Sequence, residues 1–291
     1  MRARQGLERY RWEAALIGVS LIWGATFTVV KDDVARMPPF LFIGIRFALA
    51  ALVLAAIGAF RGLTSREAKA GVITGLALFA GYAFQTVGLQ YTTASNAGFI
   101  TGMFVVFTPV IGTLVFRKLP STAASIGVIL ATLGLVLLAM PSGFHLRKGD
   151  ALEVMTAIMF AIHILLISRF GRDIPSLRFA ATQIATAAVV ALIWSGIAEH
   201  AAPPSSGNVW GGIVLTGVLA TAIAFLVQTR AQREIPPTRT AVILTAEPVF
   251  AGIFGFWLAG DRLGARGYVG AVLIVAGILV AELFAPQEEV V

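Results

Sequence analysis

The fold is indicated by GVILATLGLVLLA, residues Gly127–Ala139, which returns near the end of the chain as GAVLIVAGILVAE, residues Gly270–Glu282. Both stretches are apolar, and they carry glycines at the same two places. FTPV at Phe107–Val110 matches AEPV at Ala246–Val249 at a similar offset, which is about 140 residues. Matches that recur in one order predict a chain built from two copies of one unit.

The composition indicates a membrane protein. Of the 291 residues, 58% are hydrophobic and only 13% are charged, and the mean hydropathy is +0.87, whereas a soluble domain carries about 25% charged residues. A bilayer core needs about 20 apolar residues per helix. Ten runs are suitable: Ala14–Val30, Pro38–Phe60, the two parts of Ala70–Phe116 on either side of Tyr91–Asn96, Ser121–Met140, Ala151–Ser168, Phe179–Ala198, Asn208–Thr229, Thr240–Gly260 and Gly264–Phe284.

Five of these runs fall in each predicted unit, residues 1–148 and residues 149–291. Because five is an odd number, the second unit must cross the membrane in the opposite sense. The sequence therefore predicts an all-α integral membrane protein with ten transmembrane helices, arranged as two inverted five-helix repeats that form one body. Inverted repeats are typical of secondary transporters, although duplication also builds rigid pores and membrane enzymes.

The basic residues predict the orientation. With the N-terminus inside, fifteen Lys and Arg residues flank the runs on the cytoplasmic side and six on the other side, so both termini are expected in the cytoplasm. These residues sit between apolar runs, and the net charge of +7 is therefore not interpreted as a nucleic-acid site. We expect a multi-pass protein of the cell (inner) membrane in contact with lipid, whose first run is a retained helix and not a signal peptide.

The cysteine and histidine content limits the chemistry. The chain has no cysteine, and its three histidines form no HExxH motif. Disulfides, thiolate ligands and cysteine nucleophiles are excluded, and no zinc site of standard spacing can be written. We expect no metal and no cofactor, apart from a proton that could couple to the working cycle.

Each unit carries the same three marks. They are an aromatic residue followed by a small one in the first helix (Trp23–Gly24, Phe160–Ala161), a Pro-Val pair in the fourth helix (Pro109, Pro248) and a G-x6-G helix at the end (Gly127 and Gly134, Gly270 and Gly277). With these marks the whole chain resembles the drug/metabolite transporter superfamily, in its ten-helix EamA-type exporter branch, and within it the aromatic amino acid exporters. The resemblance implies export of amino acids, related metabolites or drugs through a central cavity framed by helices 1–4 and 6–9, with helices 5 and 10 outside.

One feature departs from this family. The family often has a glutamate at the turn between the fourth and fifth helices of each repeat. Here the first unit has Arg117–Lys118 at this turn and the second unit has Asp261. The two halves therefore no longer share whatever role the turn has.

Several polar and aromatic residues lie near the middle of the predicted spans. An ionisable side chain inside a membrane costs about 2.5–3.5 kcal/mol on insertion scales, so it is expected to face a cavity or a partner. At a rise of ~1.5 Å per residue, the candidates from different helices reach similar depths. The expected substrate-binding residues are Trp23, Arg46, Phe79, Tyr82, Gln85, Phe99, His163 and Glu247.

The charged candidates have alternative roles. Arg46 could bind a substrate carboxylate as a bidentate fork, or pair with Glu247, the only acid that falls well inside a predicted span. Glu247 could instead accept a proton, bind a substrate ammonium group, or remain a protonated and hydrogen-bonded acid. His163, three residues after Phe160 on the same helix face, could line the cavity or satisfy a packing contact.

The uncharged candidates have alternatives too. Tyr82 and Gln85 share a helix face and suit an amphipathic ring-bearing substrate, but they could also hydrogen-bond between helices. Trp23 could line the cavity or pack in the core. Phe99 and Met103 share one face of the fourth helix, where plain packing is favoured.

Two prolines are expected to kink helices beside the cavity. Pro248 removes the hydrogen bond to the carbonyl group of Leu244, and Pro109 does the same to Val105. Two kinked helices in inverted copies would act as gates, or would only shape the packing.

The favoured function is export of small amphipathic metabolites, best fitted by aromatic or other apolar amino acids, by alternating access around a midplane cavity. A carrier for cationic drugs is the alternative in the same class, and a polytopic membrane enzyme or a channel is the alternative in another class. The small residues of helices 5 and 10 permit close contact, which we expect within one chain, so that the protein works as a monomer.

Overall fold

The computed structural model describes residues 10–92, 94–139, 148–200, 206–254, 257 and 264–284, and within these ranges the chain is helical and has no β-strand. Asp261 lies outside these ranges, and so do five of the basic residues that were counted for the orientation, namely Arg2, Arg4, Arg9, Arg147 and Arg262. Ten helices follow one another in the described parts of the chain. The ends of the predicted spans at Met140 and Gly260 also lie outside these parts.

The first half contains five helices. They are α1 (Arg11–Val34), α2 (Pro39–Ala56), α3 (Ser65–Gly88), α4 in two segments (Ala94–Gly102 and Phe104–Phe116) and α5 (Thr122–Ala139). Their ends follow local rules. Thr64 caps α3, because its hydroxyl accepts from the Glu67 amide while the Glu67 carboxylate accepts from the Thr64 amide. The second segment of α4 ends at Arg117, whose φ of 54° stops the helix.

The second half repeats this order. Its helices are α6 (Lys148–Phe170), α7 (Ser176–Ala198), α8 in three parts (Gly207–Leu215, a π-helical part Thr216–Ile223, and Ala224–Ala231), α9 in two segments (Pro237–Leu244 and Ala246–Phe254) and α10 (Ala265–Leu283). Each predicted span overlaps one helix of this order. The predicted fold class, with ten transmembrane helices in two inverted repeats, is therefore confirmed.

Length and composition support the membrane assignment. In the described parts, seven helices are long and apolar enough to cross a bilayer, namely α2, the span Ala97–Phe116 of α4, and α3, α6, α7, α8 and α10. The shorter apolar helix α5, together with α1 and α9, completes the ten. Since the number of crossings is even, α1 begins and α10 ends on the same side, which we call the terminal face. The other side is the opposite face.

The helices pack with pseudo-twofold symmetry. Helix α5 lies against its counterpart α10, and α2 lies against its counterpart α7. The contacts of α6 with α3 and α4 are matched by those of α1 with α8 and α9. Each of these contacts between the two halves thus either joins two equivalent helices or has a counterpart in which both helices are replaced by their equivalents.

The contact between α5 and α10 shows that the repeats are inverted. A Cβ atom on Gly134 would lie 2.6 Å from the carbonyl oxygen of Gly270, and one on Gly127 would lie 2.8 Å from the Cβ atom of Ala281. The order of these contacts runs in opposite directions along the two equivalent helices, so the halves are antiparallel. Because the glycines bring two backbones of one chain together, the predicted small-residue faces meet internally.

The contact between α2 and α7 is also antiparallel. At the opposite face, Glu199 follows the end of α7 and accepts hydrogen bonds from the first amides of α2, at 2.8 Å from Phe40 N and 2.9 Å from Leu41 N. The first turn of a helix has free N–H groups and a partial positive charge, which a carboxylate satisfies. Deeper in the bundle, Gly44 of α2 packs directly on Leu192.

The two helices that carry Pro109 and Pro248 are interrupted beside the centre, each within two residues of the carbonyl that its proline leaves without a hydrogen bond. Helix α9 breaks at Thr245, three residues before Pro248, consistent with the missing hydrogen bond to Leu244. Helix α4 breaks at Met103, whereas Pro109 lies inside the continuous segment Phe104–Phe116. The break at Met103 lies two residues before Val105, whose carbonyl Pro109 leaves without a hydrogen bond, and the chain makes a tight turn there, in which the Met103 amide bonds to Ile100 O at 3.1 Å.

Candidate functional site

A pocket lies between the two halves, with about 700 Å³ of empty space that includes space open to the surroundings. It is lined by Trp23, Thr26, Val30, Arg46, Tyr82, Gln85, Leu89, Thr101, Phe104, Phe160, His163, Ile164, Phe225, Gln228, Leu244 and Glu247. These residues come from α1, α2, α3, α4, α6, α8 and α9.

The pocket brings together most of the residues that the sequence selected. Six of the eight line it, namely Trp23, Arg46, Tyr82, Gln85, His163 and Glu247. Phe79 and Phe99 do not. The Phe79 ring packs near Phe40, with ring centroids 6.2 Å apart, and Phe99 packs on the core around α1, α4 and α6. Three residues turn a helix about 300°, so Phe79 points about 60° away from Tyr82 and misses the pocket.

The pocket lies on the pseudo-twofold axis. The sequence matches between the halves pair Trp23 with Phe160, Thr26 with His163, Tyr82 with Phe225, and Gln85 with Gln228, and all eight residues line the pocket. The two halves therefore contribute equivalent aromatic and amide groups. Arg46 and Glu247 break this symmetry, because Gln183 and Thr108 stand at the equivalent positions.

The π-helical part of α8 explains a shift in this pairing. Gly75 aligns with Gly217 at the start of the π part, but Gln85 aligns with Gln228 after it, which requires one extra residue in α8. A π-bulge is the local form that a one-residue insertion takes in a helix. Because the hydrogen-bond register changes there, the Ala220 carbonyl accepts from two pocket side chains, Trp23 Nε1 at 2.9 Å and Arg46 Nη2 at 3.5 Å.

Arg46 is held in place by α8 and by aromatic rings. Its Nε donates to Thr221 Oγ1 at 2.7 Å, and its guanidinium carbon lies 5.2 Å from the Tyr82 ring centroid and 5.7 Å from that of Phe47. The residue is only 3% exposed. These contacts use one edge of the guanidinium group and its face, and they fix its direction at the pocket wall.

Glu247 lies two residues after the break in α9 and lines the pocket. Among the side chains that the structure describes, it has neither a hydrogen-bond partner nor an ion-pair partner. The ion pair between Arg46 and Glu247 that the sequence left open is therefore not formed, since each side chain reaches the pocket separately. An unpartnered carboxyl group at this depth is costly unless a ligand, water or a proton satisfies it.

His163 is fixed by a chain of hydrogen bonds across α6, α7 and α8. Its Nε2 lies 2.6 Å from Gln183 Oε1, and Gln183 Nε2 donates to Thr229 Oγ1 at 3.0 Å. Since the Gln183 amide nitrogen serves Thr229, its oxygen is the acceptor and His163 Nε2 carries the hydrogen. The ring meets Phe225 edge-on at 5.7 Å, so His163 has satisfied packing contacts and also forms part of the pocket wall.

Four aromatic rings form a continuous wall. Tyr82 lies 5.4 Å from Phe160 and 6.2 Å from Phe225, and Trp23 lies 5.5 Å from Phe225, measured between ring centroids. Edge-to-face and tilted arrangements at these distances are favourable. The wall can hold a flat or bulky apolar group while Arg46 and Glu247 meet charged ones.

The pocket extends from the middle of the bundle toward the opposite face. Val30 and Leu89, near the opposite-face ends of α1 and α3, line it. Toward the terminal face its lining ends at Gln228, below which Gln232 donates to Ile164 O at 2.8 Å and to Ser168 Oγ at 2.9 Å. This polar packing between α6 and α8 separates the pocket from the terminal face.

Ion pairs join the helices at the terminal face. The six ion pairs between described residues all lie there: Arg11–Glu234, Arg66–Asp173, Arg178–Glu67, Arg230–Glu234, Arg239–Glu13 and Arg239–Glu282. Most are exposed and contribute little. Arg239 is the exception, because its side chain is 16% exposed, against 13% for Glu13 and 8% for Glu282, and it joins α9 to α1 and α10.

Sequence reasoning missed two buried acids. Glu153 is 0% exposed and Asp150 is 1% exposed, both near the start of α6. Besides Glu247 in the pocket, the helix bundle therefore holds these two buried acids: α6 begins three residues before the predicted span and includes Asp150, while Glu153 already stands two residues inside that span. The spacing of two acids by three residues was the available signal. Thr101, Phe225 and Gln228 were missed as well, although the repeat places the last two opposite Tyr82 and Gln85.

Comparison with known proteins identifies the family. The model of the EamA-like transporter family matches residues 10–140 and 147–283. An uncharacterized transporter of Archaeoglobus fulgidus is 34% identical over 281 residues, which cover 96% of this chain and 88% of that protein. The uncharacterized transporter YyaM of Bacillus subtilis is 25% identical, with 91% and 92% covered, and the uncharacterized inner membrane transporter YedA of Escherichia coli K12 is 26% identical, with 97% and 93% covered.

The fold agrees with a solved structure as well. A crystal structure matches with a TM-score of 0.78 at 19% identity, covering 93% of this chain and 96% of the matched chain. At this identity the likeness concerns the fold alone. Together with the family match over nearly the whole length, the paired five-helix halves and the central pocket show that the chain is a multi-pass membrane transporter that belongs to the EamA-like transporter family.

Proposed function

We propose that the protein exports small amphipathic metabolites, and that amino acids with aromatic or other apolar side chains fit it best. The observation that carries this proposal is the pocket itself, where Arg46, Glu247 and a wall of four aromatic rings face one space, and where Glu247 has no partner among the described side chains. A zwitterion with a ring matches these three features in charge and shape.

Each group has a distinct part in binding. Arg46 keeps donors beyond those used by Thr221 and Ala220, and a carboxylate accepts such donors in a charge-assisted pair. Glu247 accepts the ammonium group, which replaces its missing partner. The rings of Trp23 and Phe225 hold the apolar side chain. A neutral zwitterion leaves the pocket without an uncompensated buried charge.

Transport follows from the inverted halves. The pocket reaches toward the opposite face, while Arg239 and its partners hold the terminal face together. When the halves rock, the terminal face opens and the opposite face closes. The substrate thus crosses the membrane without an open channel. The broken helices α4 and α9, which carry Pro109 and Pro248, are the proposed gates.

The direction and organisation belong to the same proposal. The charge bias of fifteen to six assigns the terminal face to the cytoplasm, so the structure faces outward. We further propose that the units 1–148 and 149–291 form one monomeric transporter. It works without cofactor or metal and couples to protons. Arg46 is the only basic residue well inside a span, which disfavours phosphorylated substrates.

Counterflow in proteoliposomes tests the function. Vesicles loaded with unlabelled phenylalanine should take up labelled phenylalanine faster than empty vesicles, and uptake should saturate. Linear, unsaturable flux would instead indicate a channel, and chemical conversion of the compound would indicate a membrane enzyme. A thermal-shift screen of amino acids and cationic drugs on the purified protein identifies the substrate class without a transport assay.

A carrier for cationic drugs is the second candidate, and the state of Glu247 favours it. Among the described residues Glu247 has no hydrogen-bond or ion-pair partner, whereas Arg46 already has protein partners. A cation with an aromatic body would use Glu247 and the same rings without Arg46. Counterflow with an Arg46→Ala variant separates the two candidates. An amino acid exporter should lose amino acid transport in this variant, whereas a carrier for cationic drugs should retain drug transport.

A further inference from the structure

Glu153 is a buried carboxyl group outside the pocket lining. It is 0% exposed. Its Oε2 accepts a hydrogen bond from Thr101 Oγ1 at 2.9 Å, while its Oε1 has no hydrogen-bond partner among the described residues. An ionised carboxylate in this state lacks the donors that would offset its desolvation. Something further must satisfy Oε1, and its surroundings restrict what that is.

The space around Oε1 is too small for a hydrated metal ion. Helices α3 and α6 touch through glycines here, because a Cβ atom on Gly149 would collide with the carbonyl oxygen of Gly88. A Cβ atom on Gly88 would lie 2.7 Å from Glu153 Oε1. A cation such as Na⁺ or Ca²⁺ needs a shell of several oxygens, whereas a proton needs no added volume.

The charges around Glu153 favour a positive ligand. Asp150, one turn earlier on α6, is 1% exposed and accepts from Thr92 Oγ1. Among the described residues, Asp150 is the titratable group that interacts with Glu153, while α3 contributes Gly88 and α4 contributes Thr101. No ion pair between described residues supplies a cation to Glu153. Two adjacent negative charges in a low-dielectric interior repel strongly, and one proton removes the repulsion.

Thr156 provides the acceptor that a protonated Glu153 needs. Its side chain lies beside the Glu153 carboxyl group, and its hydroxyl hydrogen is already donated to Leu152 O at 3.1 Å. The Thr156 oxygen keeps lone pairs that can accept an O–H from Glu153. With the proton, each group of the cluster has a partner.

We propose that Glu153 is a proton-binding site that is coupled to the pocket through Thr101, an inference that rests on the proposed transport function. Thr101 donates to Glu153 and also lines the pocket. When the carboxylate takes up a proton, it no longer requires the Thr101 hydroxyl as a donor, so a bound substrate can draw this hydroxyl toward itself; without substrate the hydroxyl keeps its hydrogen bond to Oε2. Glu153 stands about 8 Å from the opposite-face end of α6, where protons from that side can reach it.

The position of Glu153 also separates it from substrate binding. Glu247 lines the pocket and meets the substrate, whereas Glu153 lies behind Thr101 and exchanges only the proton. The proton and the substrate thus occupy different sites, and Thr101 is the one residue that contacts both. This arrangement permits coupling without direct competition for one carboxylate.

Infrared difference spectroscopy of the full-length protein in lipid vesicles, titrated from low to high pH without substrate, tests the site. We expect a C=O stretching band of a protonated, buried carboxyl group that disappears on deprotonation. The band should be absent in Glu153→Gln, and it should move without disappearing in Thr101→Val, since that variant loses the hydrogen bond to Oε2. Glu247→Gln is the matched control and should keep this band.

A band that persists unchanged in Glu153→Gln would overturn the proposal, and so would a spectrum of the Thr101→Val variant identical to that of the unmodified protein. Addition of NaCl in place of protons distinguishes a sodium site: a carboxylate band that responds to Na⁺ but not to pH would also overturn it. Because neither measurement uses a substrate, a protein without amino acid transport could still show the proton site. Thr101→Val keeps the test valid if Glu153→Gln fails to fold.

Discussion

Trp23 donates its indole N–H to the backbone carbonyl of Ala220 at 2.9 Å, and this bond joins the first helix of one half to the π-helical part of the other. The same carbonyl accepts from Arg46. One backbone atom of the π-helical part thereby orients both an aromatic and a cationic group of the pocket.

Replacement of Trp23 by Phe tests this bond. The variant keeps a ring in the pocket wall but loses the N–H, so Arg46 alone remains at the Ala220 carbonyl. An interhelical hydrogen bond in a membrane contributes about 0.6 kcal/mol on average, and we expect a small loss of thermal stability with a larger loss of transport. Phe160→Leu, at the equivalent position without such a bond, is the control. Equal transport by Trp23→Phe and the unmodified protein would show that the bond has no part in the function.

Arg46→Ala should weaken the binding of amino acids about 10- to 100-fold, because a charge-assisted hydrogen bond contributes about 1.5–3 kcal/mol. Arg46→Lys should restore only part of this affinity, since an ammonium group lacks the planar fork. Substrate-induced thermal shifts measure both variants. Thr221→Val, which removes only the partner of Arg46 Nε, should give an intermediate effect. Full binding by Arg46→Ala would contradict the role in carboxylate recognition.

Glu247→Gln should reduce binding of amino acids and of cationic compounds alike, while an N-acetylated amino acid, which has no ammonium group, should lose nothing. The carboxylate has no described protein partner, so the variant should fold as well as the unmodified protein. Thermal unfolding and ligand-induced shifts provide the two measurements. A large loss of stability without ligand would indicate a structural role instead.

Arg239→Ala should loosen the terminal face, because it removes the centre of the contacts to Glu13 and Glu282. The chain has no cysteine, so a single Ser168→Cys substitution reports on access from that face. If the free energy that favours the closed state falls by about 1 kcal/mol, the maleimide labelling of Ser168→Cys should rise about fivefold. Tyr91→Cys, exposed at the opposite face, should label at the same rate in both backgrounds. Unchanged labelling of Ser168→Cys would show that Arg239 does not hold this face closed.

Gly134→Ala should destabilise the protein, because the new Cβ atom would lie 2.6 Å from the Gly270 carbonyl oxygen. Overpacking of this kind costs about 1–3 kcal/mol. Gly196→Ala in α7 is the matched control: nothing lies within 4 Å of its Cβ position, and removal of a helical glycine should be neutral or stabilising by about 0.5–1 kcal/mol. Thermal unfolding in detergent compares the two. Equal stability of both variants would argue against close packing of α5 on α10.

The fold was largely predictable from the sequence, because long apolar runs and recurring glycines are local signals. The same signals placed Trp23, Arg46, Tyr82 and Glu247 at similar depths, and the structure gathers them in one pocket. Whether they bind substrate remains a prediction.

What the sequence did not predict depends on the direction of side chains and on the register of helices. Phe79 and Tyr82 lie on roughly the same side of α3, but the Phe79 ring packs near Phe40 and not in the pocket. This difference can be predicted only when the packing of the helices is known. The π-helical part of α8 is visible in the sequence only as a drift of one residue between repeats. Glu153 stands two residues inside a predicted span that α6 extends, and only the contact of α3 with α6 shows that it is buried.

The charges at the terminal face make the two halves unequal partners. In the alignment of the repeats, Glu282 stands opposite Ala139 and Arg178 stands opposite Leu41, so the pairs made by these charged residues have no duplicate in the other half. A perfectly symmetric duplicate would spend equal time open to either compartment. This chain must break its ion pairs to open one side, and the described residues show no ion pair at the other side to replace them. We therefore expect an unequal resting preference, and a substrate or a proton has to supply the free-energy difference before transport can proceed.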